Sequence, residues 1–165
     1  IPDTPVYMGE INTGLYSLLT TQVIEVPPIR DRKENIVPLF EREIELCINK
    51  PFRLKRFEKA INVLQWYEWR GNLSEIQACA ARFGLSYLER SSATQASVYR
   101  NVIDAIGRKK IIKQAEDNFN KTEQTAADFS RMVNEMCDYA GMTQAEVAEL
   151  LKMSRTTLWR KMEQN

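Results

Sequence analysis

The residues best equipped for chemistry lie near the end of the chain, in residues 152–162 (KMSRTTLWRKM). Four basic side chains, Lys152, Arg155, Arg160 and Lys161, stand there without one acidic residue, although the whole chain of 165 residues carries a net charge of only +1. Between them sit the hydroxyls of Ser154, Thr156 and Thr157 and the indole of Trp159. Cations and short hydrogen-bonding groups on one short helix suit phosphate oxygens and base edges in a DNA groove. Arg155, Thr157 and Trp159 are expected to reach bases or a thymine methyl. Ser154, Thr143, Arg160 and Lys161 are expected to hold phosphates, Thr156 could do either, and Gln144 completes the candidate set.

The elements that must carry these groups follow from the flanking pattern. Thr143 and Glu146 form a capping box after Gly141, which starts one helix. Val147, Ala148 and Leu151 are its inner stripe, with Ala148 small where a second helix crosses. Ser154 then caps that second helix, whose Leu158 and Met162 are one turn apart and point to a core. Two helices joined this tightly describe a helix-turn-helix. Lys152 occupies the turn where glycine would be easiest. Over residues 125–165 five basic residues face six acidic ones, so the positive charge is concentrated on the second helix. The preceding helix is apolar on more than one face through Phe129, Met132, Val133, Met136 and Tyr139. A three-helix unit of about 40 residues is marginal alone. Burying that excess face in a two-fold homodimer is expected, with an inverted repeat of double-stranded DNA as its partner.

Composition removes other chemistries. The chain has no histidine. Ser-His-Asp and Cys-His catalysis, imidazole bases and histidine zinc sites are therefore excluded. Cys47, Cys79 and Cys137 lack paired metal spacing and are expected to be buried small hydrophobes in a reducing compartment. No apolar run approaches the roughly 18 residues of a membrane span. A cytoplasmic location without membrane contact is expected. The abrupt start at Ile1 points to a piece of a longer polypeptide.

Upstream the pattern is mostly helical. Residues 1–20 are punctuated by Pro2, Pro5, Gly9 and Gly14, with one short helix expected around Leu15–Leu19. Residues 21–26 (TQVIEV) alternate as the single convincing strand, stopped by Pro27 and Pro28. Four helices are expected next. The first carries Ile36, Leu39, Phe40, Ile44 and Cys47, the second Phe57, Ile61 and Leu64. The third has Leu73, Ile76, Ala80 and Phe83 inward, and a continuous fourth spans 91–114, with Arg108, Lys109 and Lys110 near its end. Trp66 and Trp69 flank a turn as core anchors. Residues 114–124 are polar and expected to be a linker.

Three segments, in one order, carry a resemblance. Residues 26–36 (VPPIRDRKENI), the stretch WRGNLSEI from Trp69 to Ile76, and the terminal SRTTLWRK resemble the strand exit, lid motif and Fis-type DNA-binding domain of bacterial sigma-54-dependent activators of the AAA+ superfamily. The resemblance implies an all-α chain: an AAA+ helical lid with a remnant of the α/β core, then a three-helix Fis-type helix-turn-helix domain. The expected division is 1–31 as the end of the ATPase core, 32–113 as the lid with an additional helix, 114–124 as linker and 125–165 as the DNA-binding domain. No catalytic residue or cofactor is expected in this chain. ATP and Mg would belong to the parent protein, as would RNA polymerase with sigma-54 as a partner. Gly9 and Gly14 have phosphate-loop spacing, but Leu15 and Tyr16 stand where Lys and Ser or Thr would be needed. Asn12 and Leu18 stand where the family has arginine fingers, and Ser74 where its lid motif has a nucleotide-sensing arginine. A degenerate ATPase module is the expectation, with Arg70 an exposed turn residue and Arg30 and Arg32 paired with Glu34 or Glu41.

Overall fold

A computed structural model describes residues 25–89 and 94–163. Among the described residues two short 3-10 turns, Ile29–Asp31 and Lys33–Asn35, lead into eight α-helices: α1 (Ile36–Ile48), α2 (Glu58–Trp66), α3 (Asn72–Leu88), α4 (Gln95–Ile106), α5 (Arg108–Asn120), α6 (Ala126–Ala140), α7 (Gln144–Leu150) and α8 (Arg155–Glu163). The described residues contain helices and no strand, as the all-α expectation requires. Of the expected strand, 21–24 lie outside the described residues, and Glu25 and Val26 are irregular. The helix expected around Leu15, and Asn12 and Leu18, also lie outside them.

The first core follows from helical stripes. Phe40, Ile44 and Ile48 bury one face of α1, and Ile76, Ala80 and Phe83 bury the matching face of α3. Rings at 5–6 Å then lock the end of this pair, with Phe83 edge-on to Phe40 and Phe52 and stacked against Tyr87. Trp69 is fully buried and its indole N–H donates to the Leu64 carbonyl at 2.7 Å. Trp66 bridges this core and a second, smaller one, packing against both. Both tryptophans thus anchor packing, as their flanking positions predict.

Several expectations are corrected. Leu73 is exposed, because the first turn of α3 faces a hollow lined by Val26, Pro28 and Leu39 instead of the core. The fourth helix is two helices: Gly107 takes φ +102, ψ 112, a conformation open to glycine, and breaks the run. Residues 114–120 are not linker but the second half of α5, with Gln114 and Ala115 buried. The polarity that made this segment look like linker belongs to its outer face. Cys79 is buried and desolvation pushes its thiol up to about 12, whereas Cys47 is exposed and Cys137 only half-buried. Cys47 lies off the Phe40–Ile44–Ile48 stripe, at the rim of the contact between α1 and α3, where its Cβ approaches Gly84.

Arg30 and Arg32 pair with neither Glu34 nor Glu41. Glu41 instead accepts from the Leu54 amide at 2.6 Å and faces Arg53. Arg70 is exposed and bonded to Glu68 and Asp117.

Candidate nucleic-acid interface

α8 is built by its neighbours. Ser154 Oγ accepts from the Thr157 amide at 3.1 Å, which satisfies an orphan donor of the first turn. Leu158 is fully buried against α6 and α7, beside Val147 and Ala148. The Met162 carbonyl accepts from Ser130 Oγ at 3.0 Å, which ties the far end of α8 to α6. The turn before α8 needs a left-handed residue, and Lys152 supplies it with φ +53. Its amide donates to Glu149 O and the Met153 amide to Ala148 O, closing the turn without glycine.

With Leu158 inward, helical geometry sorts the other side chains. Thr156 and Arg160 lie opposite Leu158, and Arg155 and Trp159 form the adjoining row; all four are exposed, Trp159 by 57%. Among the described residues Lys152, Arg155 and Arg160 make no ion pair with a carboxylate. Thr157 and Lys161 occupy the opposite flank, turned toward α6. The Lys161 ammonium sits 5.5 Å from the centroid of Phe129, and the half-buried Thr157 shares a 2.8 Å hydrogen bond with Ser154. The expected base contact at Thr157 therefore has an occupied hydroxyl on a side row.

Thr143 is likewise engaged. Its hydroxyl accepts from the Glu146 amide and donates to Glu146 Oε2, while its own amide donates to the same carboxylate at 2.7 Å. The Thr143 amide and hydroxyl, and then Arg108, hold the Glu146 carboxyl below its usual range. Gln144 is exposed at the start of α7.

Arg108 is the residue that sequence reasoning missed here. The basic run at 108–110 begins α5 instead of ending a helix. The Arg108 guanidinium donates to the carbonyls of Ala140 and Gly141, both at 2.9 Å, and stands 3.5 Å from Glu146. Lys110 is bound to Glu75 at 2.7 Å. The second apolar face of α6, expected to form a dimer, is covered within the chain. Phe129 meets Phe119 edge-on, Tyr139 stacks on Trp66 at 4.5 Å, and Ala115 enters the core with Met132, Val133 and Met136.

Residues 138–164, which contain α7, α8 and the turn between them, match the model of the family described as bacterial regulatory protein, Fis family. Over 158 residues, covering 92% of this chain, it is 27% identical to the Nif-specific regulatory protein of Azotobacter vinelandii. It is 32% identical over 90 residues, 52% of the chain, to the pathogenicity locus probable regulatory protein HrpS of Pseudomonas syringae pv. syringae. These likenesses agree with the family resemblance that the sequence carries: the Fis family at the C-terminus and bacterial regulatory proteins along most of the chain. A third relative in this family comparison, the HTH-type transcriptional regulatory protein TyrR of Haemophilus influenzae, is 40% identical over 76 residues, 43% of the chain and 23% of the relative. The chain spans 28% of the Azotobacter protein and 29% of HrpS. No solved structure matches it. Its last helices match the Fis family, and no helix among the described residues is long and apolar enough to cross a membrane.

Proposed function

We propose that the chain reads double-stranded DNA by laying α8 in the major groove, with two copies on an inverted repeat. The observation that supports this is the outward row of Arg155, Thr156, Trp159 and Arg160, whose two cations have no carboxylate partner among the described residues. Arg155 and Trp159 are the base or methyl contacts and Arg160 a phosphate contact; Thr156 serves either. Lys161, Ser154 and Gln144 border this surface as secondary phosphate contacts, whereas Thr143, whose amide and hydroxyl both donate to Glu146, serves as the cap of α7. Because the α6 face is occupied within the chain, the two copies meet through another surface.

The reading extends to the parent protein as a regulator working with RNA polymerase carrying sigma-54, with a degenerate ATPase module. Ser74 presents a hydroxyl where the family's lid carries a cation, and Arg70 is held by Glu68 and Asp117. ATP and Mg binding would belong to the parent.

Selection of sites from a random duplex pool, followed by titration, tests the DNA reading. Arg155→Ala is expected to cost about 1–3 kcal/mol on the selected site and relax its sequence preference. Arg160→Ala should weaken selected and random duplexes alike and lower the salt slope by about one. Equal losses on both duplexes for Arg155→Ala, or no salt-dependent binding by the unmodified chain, would overturn the proposal.

A further inference from the structure

The last carbonyls of a helix have no partner within it and must find one elsewhere. In α6 those at Asp138, Ala140 and the Gly141 corner find theirs on another part of the chain. Tyr99 Oη of α4 donates to Asp138 O at 2.6 Å, and Arg108 of α5 reaches Ala140 O and Gly141 O. A cation is well placed there, because the helix dipole leaves partial negative charge at its C-terminus. Gly141 is left-handed at φ +63, and a Cβ built on it would lie 3.2 Å from Ile103 Cδ1, so the corner fits closely against α4. From this corner the chain enters α7 and then α8.

α5 is also fastened on its other side. Gln114, almost fully buried, accepts from the Glu68 amide and donates to Trp66 O; Lys110 bonds Glu75, and Asp117 bonds Arg70. One helix thus grips both the 66–75 turn of the lid and the corner from which the helix-turn-helix departs. Apolar packing of α5 on α6 supplies adhesion but allows sliding and rolling, whereas three hydrogen bonds, to the carbonyls of Asp138, Ala140 and Gly141, fix translation and rotation together.

We propose that Arg108, assisted by Tyr99, is a positioning residue of the DNA-binding surface: it locks the helix-turn-helix to the lid, so that the lid sets the direction in which α8 faces. Arg108 is therefore not a phosphate contact, although it belongs to a basic run. The functional part of this inference rests on the DNA reading above. With α8 fixed to the lid, two copies present their reading helices at one separation, and the inverted repeat has one permitted spacing.

Amide residual dipolar couplings on the whole chain test the lock without DNA. In the unmodified protein, couplings from α3 and α8 should fit one alignment tensor. In the Arg108→Ala, Tyr99→Phe double variant α8 should require its own tensor, with helical content retained. Arg108→Lys, which keeps a donor and the charge, should restore a single tensor. If the double variant unfolds, the single variants Arg108→Gln and Tyr99→Phe decide by the same measurement. One shared tensor in folded variants would overturn the proposal, as would separate tensors in the unmodified protein.

Site selection provides the functional arm. The unmodified chain should select one half-site spacing, and Arg108→Ala several spacings of an unchanged half-site, with no change in salt slope. An unchanged spacing, or a lowered slope, would overturn the positioning role. Failure of the unmodified chain to bind any duplex would refute the DNA reading alone, leaving the couplings to decide whether the lock exists.

Discussion

Of the turns that use left-handed residues other than glycine, two are held in opposite ways. At the lid turn Trp69 and Asn72 both have φ +50. Trp69 is buried with its indole bonded, Asn72 Oδ1 accepts from the Ile29 amide at 3.0 Å, and the Gly71 amide donates to Glu75. At the recognition turn Lys152 has φ +53, is exposed, and is held by backbone hydrogen bonds between α7 and the turn. Side chains over-determine the first turn, whereas the second keeps its side chains free. A strained conformation persists where its surroundings enforce it. The lid turn therefore depends on packing, and the recognition turn on the two helices that bracket it.

The largest expected effect follows from that dependence. Trp69→Ala removes a fully buried ring and leaves the Leu64 carbonyl without its indole donor, a loss of about 3–5 kcal/mol. Urea denaturation followed by circular dichroism measures it. A loss below about 1 kcal/mol would show that backbone contacts, not side chains, hold the lid turn.

A smaller effect separates the two regions by pH. Glu146 caps the Thr143 amide at the start of α7 and has its carboxyl held down by that bond, by the Thr143 hydroxyl and by Arg108. Its folded value is below the ordinary 4.5, so its stabilisation is present above that pH and is given up as pH falls through the lowered folded value. Thermal melts read at Trp159 should therefore show the helix-turn-helix loosening in this acid window. Thr143→Ala should cost about 1 kcal/mol at neutral pH and flatten the acid dependence. The same acid dependence in both proteins would remove Glu146 as its source.

The same contrast explains what the sequence made legible. The Thr143–Glu146 capping box, the Ala148–Leu158 crossing and the cation row are local features with fixed spacing, and the structure contains them. The stripes of α1 and α3 are equally local. The exposed Leu73 is different, because burial there depends on what meets the first turn of α3. The misread α5 is the clearest case: Gln114 and Asp117 look like linker residues until their partners, 46 to 48 positions away, are in place. Arg108 was equally opaque, since a basic run at a helix end looks the same whether it meets water, phosphate or the carbonyls of another helix. The apolar excess of α6 was legible, but its partners were not: Trp66 and Phe119 of the same chain pack against Tyr139 and Phe129.

The smallest expected effect tests the recognition turn itself. Lys152→Gly relieves a left-handed side-chain conformation, a gain of about 1–2 kcal/mol at most, but glycine also loosens the unfolded chain, which offsets about 0.5–1 kcal/mol. The net change should be a stabilisation of a few tenths of a kcal/mol to about 1 kcal/mol, read as a rise in the denaturation midpoint. DNA affinity should fall modestly on selected and random duplexes alike, because one cation is lost without moving α8. A destabilised variant would mean that the lysine side chain, not the backbone bonds to Glu149 and Ala148, holds this turn. The two turns would then be held by the same means.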